Sequence, residues 1–203
     1  MRTLRRCDSS IPQMYRYLIS CLIILAIIAA AGYFFFSDYW EHRYDDVIAR
    51  QARVYRIDEK LVWSVIYQET YFRPLARGEA EEIGLMQVTP LVAREWAKET
   101  GLKDMERQAV ENVGEFLSDP ERNIQIGCWY LEKLRERYRG RPAETAMMLS
   151  AYNAGPSRVE EWTKGADAAQ MSEADFVSRI AIGSTKEYVS SILSRYRSNG
   201  KGK

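Results

Sequence analysis

The residues able to do chemistry in this 203-residue chain are few, and carboxylates dominate them. There is one histidine, His42, and the three cysteines, Cys7, Cys21 and Cys128, are far apart with no CxxC or HxxxH spacing. That set argues against a Ser-His-Asp triad, a Cys-His pair and a histidine-rich zinc centre. An enzyme of this composition works through Asp or Glu. Glu69 has an unusual phase, because Val62, Val65, Ile66 and Glu69 stand at i, i+3, i+4 and i+7 of one apolar helical stripe. It also ends that stripe, where burial and the negative end of the helix dipole both disfavour the ionised form. A carboxylic acid still protonated near neutral pH is what a glycosidase needs to protonate a leaving oxygen. Glutamates are rarely buried, so the stripe alone leaves a solvated edge residue as the alternative.

The elements that must position Glu69 are helices. Asp58 caps a helix through residues 59–69, which ends before Phe72-Arg73-Pro74 because proline disfavours helix in the residue before it. A polar, glycine-containing loop follows over 73–88. Thr89-Pro90 opens the next helix and Gly101 closes it, and Asp119-Pro120 repeats the opening. Ile124, Cys128, Leu131, Leu134 and Tyr138 form a stripe ending at Gly140, with Cys128 expected as a core residue. A helix over about 142–153 stops at Gly155-Pro156, read only as a terminator. Ser184-Thr185-Lys186-Glu187 reads as a capping box for a last helix carrying Tyr188, Ile192 and Tyr196. Residues 102–118 fit either a helix or an irregular insertion. No stretch alternates over strand length, so the expected class is mainly α.

Residues 17–36 carry no charge, and about 20 apolar residues span a bilayer core as a helix. Arg2, Arg5, Arg6 and Arg16 precede this run, and the stretch after it begins SDYWEHRYDD. The positive-inside rule then puts a tail, 1–16, in the cytoplasm, an anchor at 17–37 and the remainder, 38–203, outside. A cleaved signal peptide using Ala29-Ala30-Ala31 is the main rival, but the apolar run continues through Phe36, which suits a retained anchor. The 29 basic and 28 acidic residues give a net charge of +1, which offers no basic face for nucleic acid.

Five strings occur in order: VWSVIYQET, GLMQVTP, DPERNIQIGCWYL, SAYNAGPSRV and FVSRIAIGSTKEYV. Over about residues 45–197 the chain resembles the lytic transglycosylases with a soluble-lytic-transglycosylase, goose-lysozyme-like domain. The 18-residue separation of Glu69 from Gln87 also fits that family. The resemblance implies a lysozyme-like helical domain behind one transmembrane helix, with Glu69 as the catalytic residue. It implies substrate contacts for Gln87, Met86, Tyr152 and Asn153, with Thr70 and Gly84 in support. The implied partner is the glycan strand of peptidoglycan, and the implied place is the outer face of a bacterial cytoplasmic membrane. No metal or cofactor is implied.

The same resemblance implies a single-glutamate reaction. Glu69 protonates the oxygen linking N-acetylmuramic acid to N-acetylglucosamine. It then deprotonates the muramic 6-hydroxyl, which closes a 1,6-anhydro ring without water. A hydrolytic muramidase on the same fold and a non-catalytic peptidoglycan-binding or envelope-assembly module are the alternatives. Two departures from the family stand out. Arg77-Gly78-Glu79-Ala80-Glu81-Glu82-Ile83 replaces a loop of small residues, and Ser184-Thr185 stands where a Glu-Thr pair is common.

Overall fold

The computed structural model describes residues 13–199. The first part of the tail, with Arg2, Arg5, Arg6 and Cys7, lies outside those residues. Two units emerge, Met1–Arg43 and Tyr44–Lys203. In the first, α1 (Gln13–His42) is one continuous helix with no buried residue. It is long and apolar enough to cross a membrane. At about 1.5 Å per residue its uncharged run covers roughly the 30 Å of a hydrocarbon core.

The second unit is built from α2 (Asp45–Val54), α3 (Glu59–Thr70), α4 (Pro90–Thr100), α5 (Lys103–Glu111), α6 (Val113–Ser118), α7 (Pro120–Tyr138), α8 (Glu144–Ala154), α9 (Pro156–Thr163), α10 (Glu173–Arg179) and α11 (Gly183–Asn199). No strand occurs among the described residues, only two isolated antiparallel bridges, Arg77 with Ile83 and Ile83 with Val88. The mainly α class read from the sequence is what the chain adopts. Helix α8 is the hub, with six consecutive residues from Ala146 to Ala151 buried. A helix buried on every side must be covered on every side, and α7, α9, α10 and α11 all pack on it. Cys128 is wholly buried among Ile124, Ile126 and Leu131 of α7, and burial pushes its thiol pKa up.

Side-chain caps fix several helix starts. The Asp58 carboxylate accepts from the Lys60 N–H at 2.8 Å, Thr89 Oγ1 from Val92 at 3.3 Å, and Asp119 from Arg122 at 2.7 Å. Two expectations need correction, and a third position left open is decided. Pro156 opens α9 as well as ending α8, since proline is at home in a first helical turn. Residues 102–118 form two short helices, α5 and α6, separated at Asn112. Helix α11 begins at Gly183, with Lys186 N–H donating to the Ile182 carbonyl, so Ser184 lies inside the first turn. The Thr185 hydroxyl there turns to Asn153.

Candidate active site

Helix α3 delivers Glu69 to the edge of the core. Val62, Val65 and Ile66 of its stripe are fully buried, while Glu69, one turn on, keeps partial access to solvent. The helix stops one residue later because Tyr71 and Phe72 take left-handed conformations, φ +51° and +58°. Burial pushes the Glu69 carboxyl from its ordinary 4.5 up to about 7. A hydrogen bond from Tyr188 opposes that rise, and the charge of Glu82 reinforces it. The Tyr188 hydroxyl donates to Glu69 Oε1 at 2.6 Å, across from α11.

The loop carrying Gly84-Leu85-Met86-Gln87 is fastened beside this acid from three helices. Thr70 Oγ1, at the end of α3, donates to the Leu85 carbonyl at 2.9 Å. Asn123 of α7 accepts from the Met86 N–H at 2.8 Å and donates to the carbonyls of Ile83 and Leu117 at 2.8 and 3.0 Å. Tyr152 of α8 donates to the Met86 carbonyl at 2.8 Å. Consecutive residues are therefore pinned from α3, α7 and α8, a connected polar network in which each buried group has a partner. Glycine is required at 84, where φ is +79° and a Cβ would stand 2.4 Å from Asn123 Nδ2.

Gln87, half-buried at φ +47°, donates through its amide to the Gly84 carbonyl at 2.9 Å. Tyr152 is also half-buried, its ring centroid 5.6 Å from that of Tyr130. Its hydroxyl stays protonated, because burial foremost and the nearby Glu69 both raise its pKa. Asn153 is exposed, and its Oδ1 accepts from the buried Thr185 hydroxyl at 2.7 Å. Glu69, Gln87 and Tyr152 thus meet around one loop, with Asn153 the next residue along α8.

Met86 is the exception. Its side chain, expected to face the groove, is fully buried in the core instead, and a Cβ on Gly127 would lie 2.3 Å from its sulfur. The missing side chain at Gly127 makes the hollow that Met86 fills, so its contribution to the site is its anchored backbone. Two residues without a role in the sequence reading belong here, Tyr188 and Asn123. Tyr188 was legible only as a stripe residue of the last helix. Asn123 had a fainter signal, a polar residue beside Ile124 on the buried side of α7.

Similarity to known proteins follows the same part of the chain. The family model for the Transglycosylase SLT domain matches residues 46–174. A soluble lytic murein transglycosylase of Salmonella typhimurium is 29% identical over 161 residues, covering 76% of this chain and 23% of that protein. A membrane-bound lytic murein transglycosylase C of Actinobacillus succinogenes is 35% identical over 121 residues, covering 58% of this chain and 32% of the relative. The chain therefore spans only a quarter to a third of the length of these relatives. The crystal structure of the 70-kDa soluble lytic transglycosylase of Escherichia coli superposes with a TM-score of 0.65 at 26% identity, over 78% of this chain and 24% of that one. The lysozyme-like helical domain expected from the sequence is thus present, and with the family match running from α2 to the start of α10 the chain belongs to the Transglycosylase SLT domain family.

Proposed function

We propose that the chain is a membrane-anchored lytic transglycosylase that cleaves the β-1,4 bond between N-acetylmuramic acid and N-acetylglucosamine in peptidoglycan, leaving 1,6-anhydromuramic ends. The observation that carries this reading is Glu69, a solvent-reachable carboxyl held protonated to about pH 7 at the edge of the core. In that state it donates its proton to the bridging oxygen as the C1–O bond breaks, and the N-acetylglucosamine side leaves as an alcohol. The carboxylate so formed takes the proton from the muramic 6-hydroxyl, whose oxygen closes on C1 and restores the acid. Atoms balance without water, and the nucleophile sits in the same sugar, an entropic advantage.

Tyr188 orients the carboxyl through its 2.6 Å bond. Gln87, Tyr152 and Asn153 are the side chains available to hold the sugar, and Thr70 and Gly84 keep their loop in place. The relatives named as lytic murein transglycosylases support the substrate. The long exposed apolar helix α1 and the membrane-bound relative support an anchor at 17–37, with 1–16 in the cytoplasm and the SLT unit on the outer face. The test is digestion of purified peptidoglycan by the full chain in detergent, wild type beside Glu69→Gln, read by mass spectrometry. Anhydro-muropeptides are expected from the wild type alone. Products heavier by one water would make the enzyme a hydrolase, and no products from either chain would make the unit a glycan-binding module.

A further inference from the structure

Gln87 has only one kind of atom left to offer a substrate. Its Nε2 donates to the Gly84 carbonyl at 2.9 Å and to the Ala76 carbonyl at 3.4 Å, so both amide hydrogens are spent on the backbone. That fixes which way the amide lies and leaves Oε1, an acceptor, as the atom still able to bond. The turn over residues 77–83 brings a second oxygen to the same spot. Arg77 and Ile83 pair as an antiparallel bridge, and the Gly78 N–H donates to the Glu82 carbonyl at 2.8 Å. The Glu82 side chain folds back over the turn, where its Oε2 accepts from the Ala80 N–H at 2.8 Å. A Cβ on Gly78 would lie 2.2 Å from that oxygen and 2.8 Å from Gln87 Oε1. The two oxygens are therefore within about 5 Å of each other, a gap that one donor bridges with two hydrogen bonds. The notch between them exists because residue 78 has no side chain.

The protein supplies no such donor among its described residues. Gln87 Oε1 accepts no hydrogen bond there, and the ion pairs do not include Glu82. Arg77, the cation of this turn, carries its guanidinium away to α6, 3.6 Å from where a Gly114 Cβ would stand. Glu82 and Gln87 are both half-buried, so two acceptors that face each other without a hydrogen between them are costly. Their loop is tied to the end of α3 by Thr70, the neighbour of Glu69.

We propose that Glu82 is a specificity-determining residue, which with Gln87 forms an acceptor-only subsite for the protonated amine of a hexosamine that lacks its N-acetyl group. An ammonium offers several hydrogens and a charge, enough to bond both oxygens at once. An acetamide N–H offers a single hydrogen and brings its own carbonyl oxygen into a notch already lined by oxygens. A sugar hydroxyl gains no charge-assisted bond to Glu82. The inference deepens the glycan-strand reading given above and rests on it.

The experiment is calorimetric titration of the full chain in detergent micelles with the tetramers of glucosamine and of N-acetylglucosamine, at a pH of about 6 that keeps the amine protonated. The chain carries Glu69→Gln throughout, so that it binds without cleaving. Glu82→Gln keeps an acceptor for the Ala80 N–H and removes the charge. Gly78→Ala fills the notch and displaces only the ends of two flexible side chains, so the fold survives it. Glu79→Gln and Glu81→Gln, at exposed positions of the same turn, report its general negative charge. The affinity for the glucosamine tetramer relative to the acetylated one is expected to fall about tenfold in Glu82→Gln and in Gly78→Ala, the worth of one charge-assisted hydrogen bond. It should stay within about twofold in the two exposed variants. An unchanged ratio in Glu82→Gln overturns the proposal, as does an equal fall in Glu79→Gln or Glu81→Gln, or binding of neither tetramer. Peptidoglycan digestion is a separate readout. A wild-type chain that makes no muropeptides, with the ratio still falling in Glu82→Gln, would sink the lytic function and leave the amine subsite standing.

Discussion

Glu69 is costly to the folded protein in the ionised form, and the cost has a definite sign. Folding raises its pKa from 4.5 to about 7, so the unfolded chain releases this proton at lower pH than the folded one. Stability contributed by the neutral carboxyl is complete below about 4.5, is lost as pH rises toward about 7, and stays lost above it. Glu69→Gln is therefore expected to stabilise the chain at pH 8 by on the order of 2 kcal/mol while lowering activity at least about 100-fold. Urea melts at pH 8 and pH 4 check this, because the gain should vanish at the acid end. A gain equal at both pH values would mean that ionisation has nothing to do with it. Tyr188→Phe removes a bond that favours the ionised form. It should move the alkaline limb of the pH–rate profile upward and cost about 1 kcal/mol of stability. The phase of Glu69 was legible in the sequence because a helical stripe is a local pattern. Tyr188 was not, because its partner lies 119 residues away and its own helix offers equal reasons to bury a tyrosine.

Between elements, the decisive feature is the fastening of the 84–87 loop to α3, α7 and α8. Caps such as Asp58, Thr89 and Asp119 could be read from the sequence because donor and acceptor are two or three residues apart. The loop's ties to Asn123 span 37 and 40 residues, and no periodicity records them. The same holds for Met86, which joins the core only because Gly127 leaves room beneath it. Asn123→Ala would orphan the Met86 N–H inside the protein and take a donor from the carbonyls of Leu117 and Ile83, the latter keeping only the Val88 N–H. An expected loss of about 2–4 kcal/mol follows, with a fall in activity as the loop drifts from Glu69. Tyr152→Phe gives up one bond to the Met86 carbonyl and should cost nearer 1 kcal/mol. Equal losses in the two variants, measured by urea unfolding, would refute the view that Asn123 is the central tie. The acidic turn over 77–83 belongs to this scale too, since the missing side chain of Gly78 leaves the space that the Glu82 carboxylate occupies.

For the molecule as a whole, the two units differ in how much apolar surface they bury. Every residue of the buried apolar core, from Ile48 to Leu193, belongs to the second unit. Helix α1 buries none of its side chains, and Leu22, Ile23, Ile24, Leu25, Ile27 and Ile28 are each more than half exposed. Side chains of this kind are stable against lipid and unstable against water, at roughly 25 cal/mol for each Å² of apolar surface. Removing residues 1–43 should therefore leave the folding of 44–203 intact, with a melting temperature within about 4 °C of the full chain, the shift that roughly 1 kcal/mol would produce in a domain of this size. The truncated chain should remain in the soluble fraction, whereas the full chain should sediment with membranes and resist alkaline carbonate. A truncated chain that aggregates or melts far lower would mean that α1 helps to build the catalytic unit. A full chain released by carbonate would mean that α1 does not span the bilayer. Activity on isolated glycan should survive truncation, because Glu69 and every group acting on it lie in 44–203, while activity confined to membrane-proximal wall in cells should be lost with the anchor.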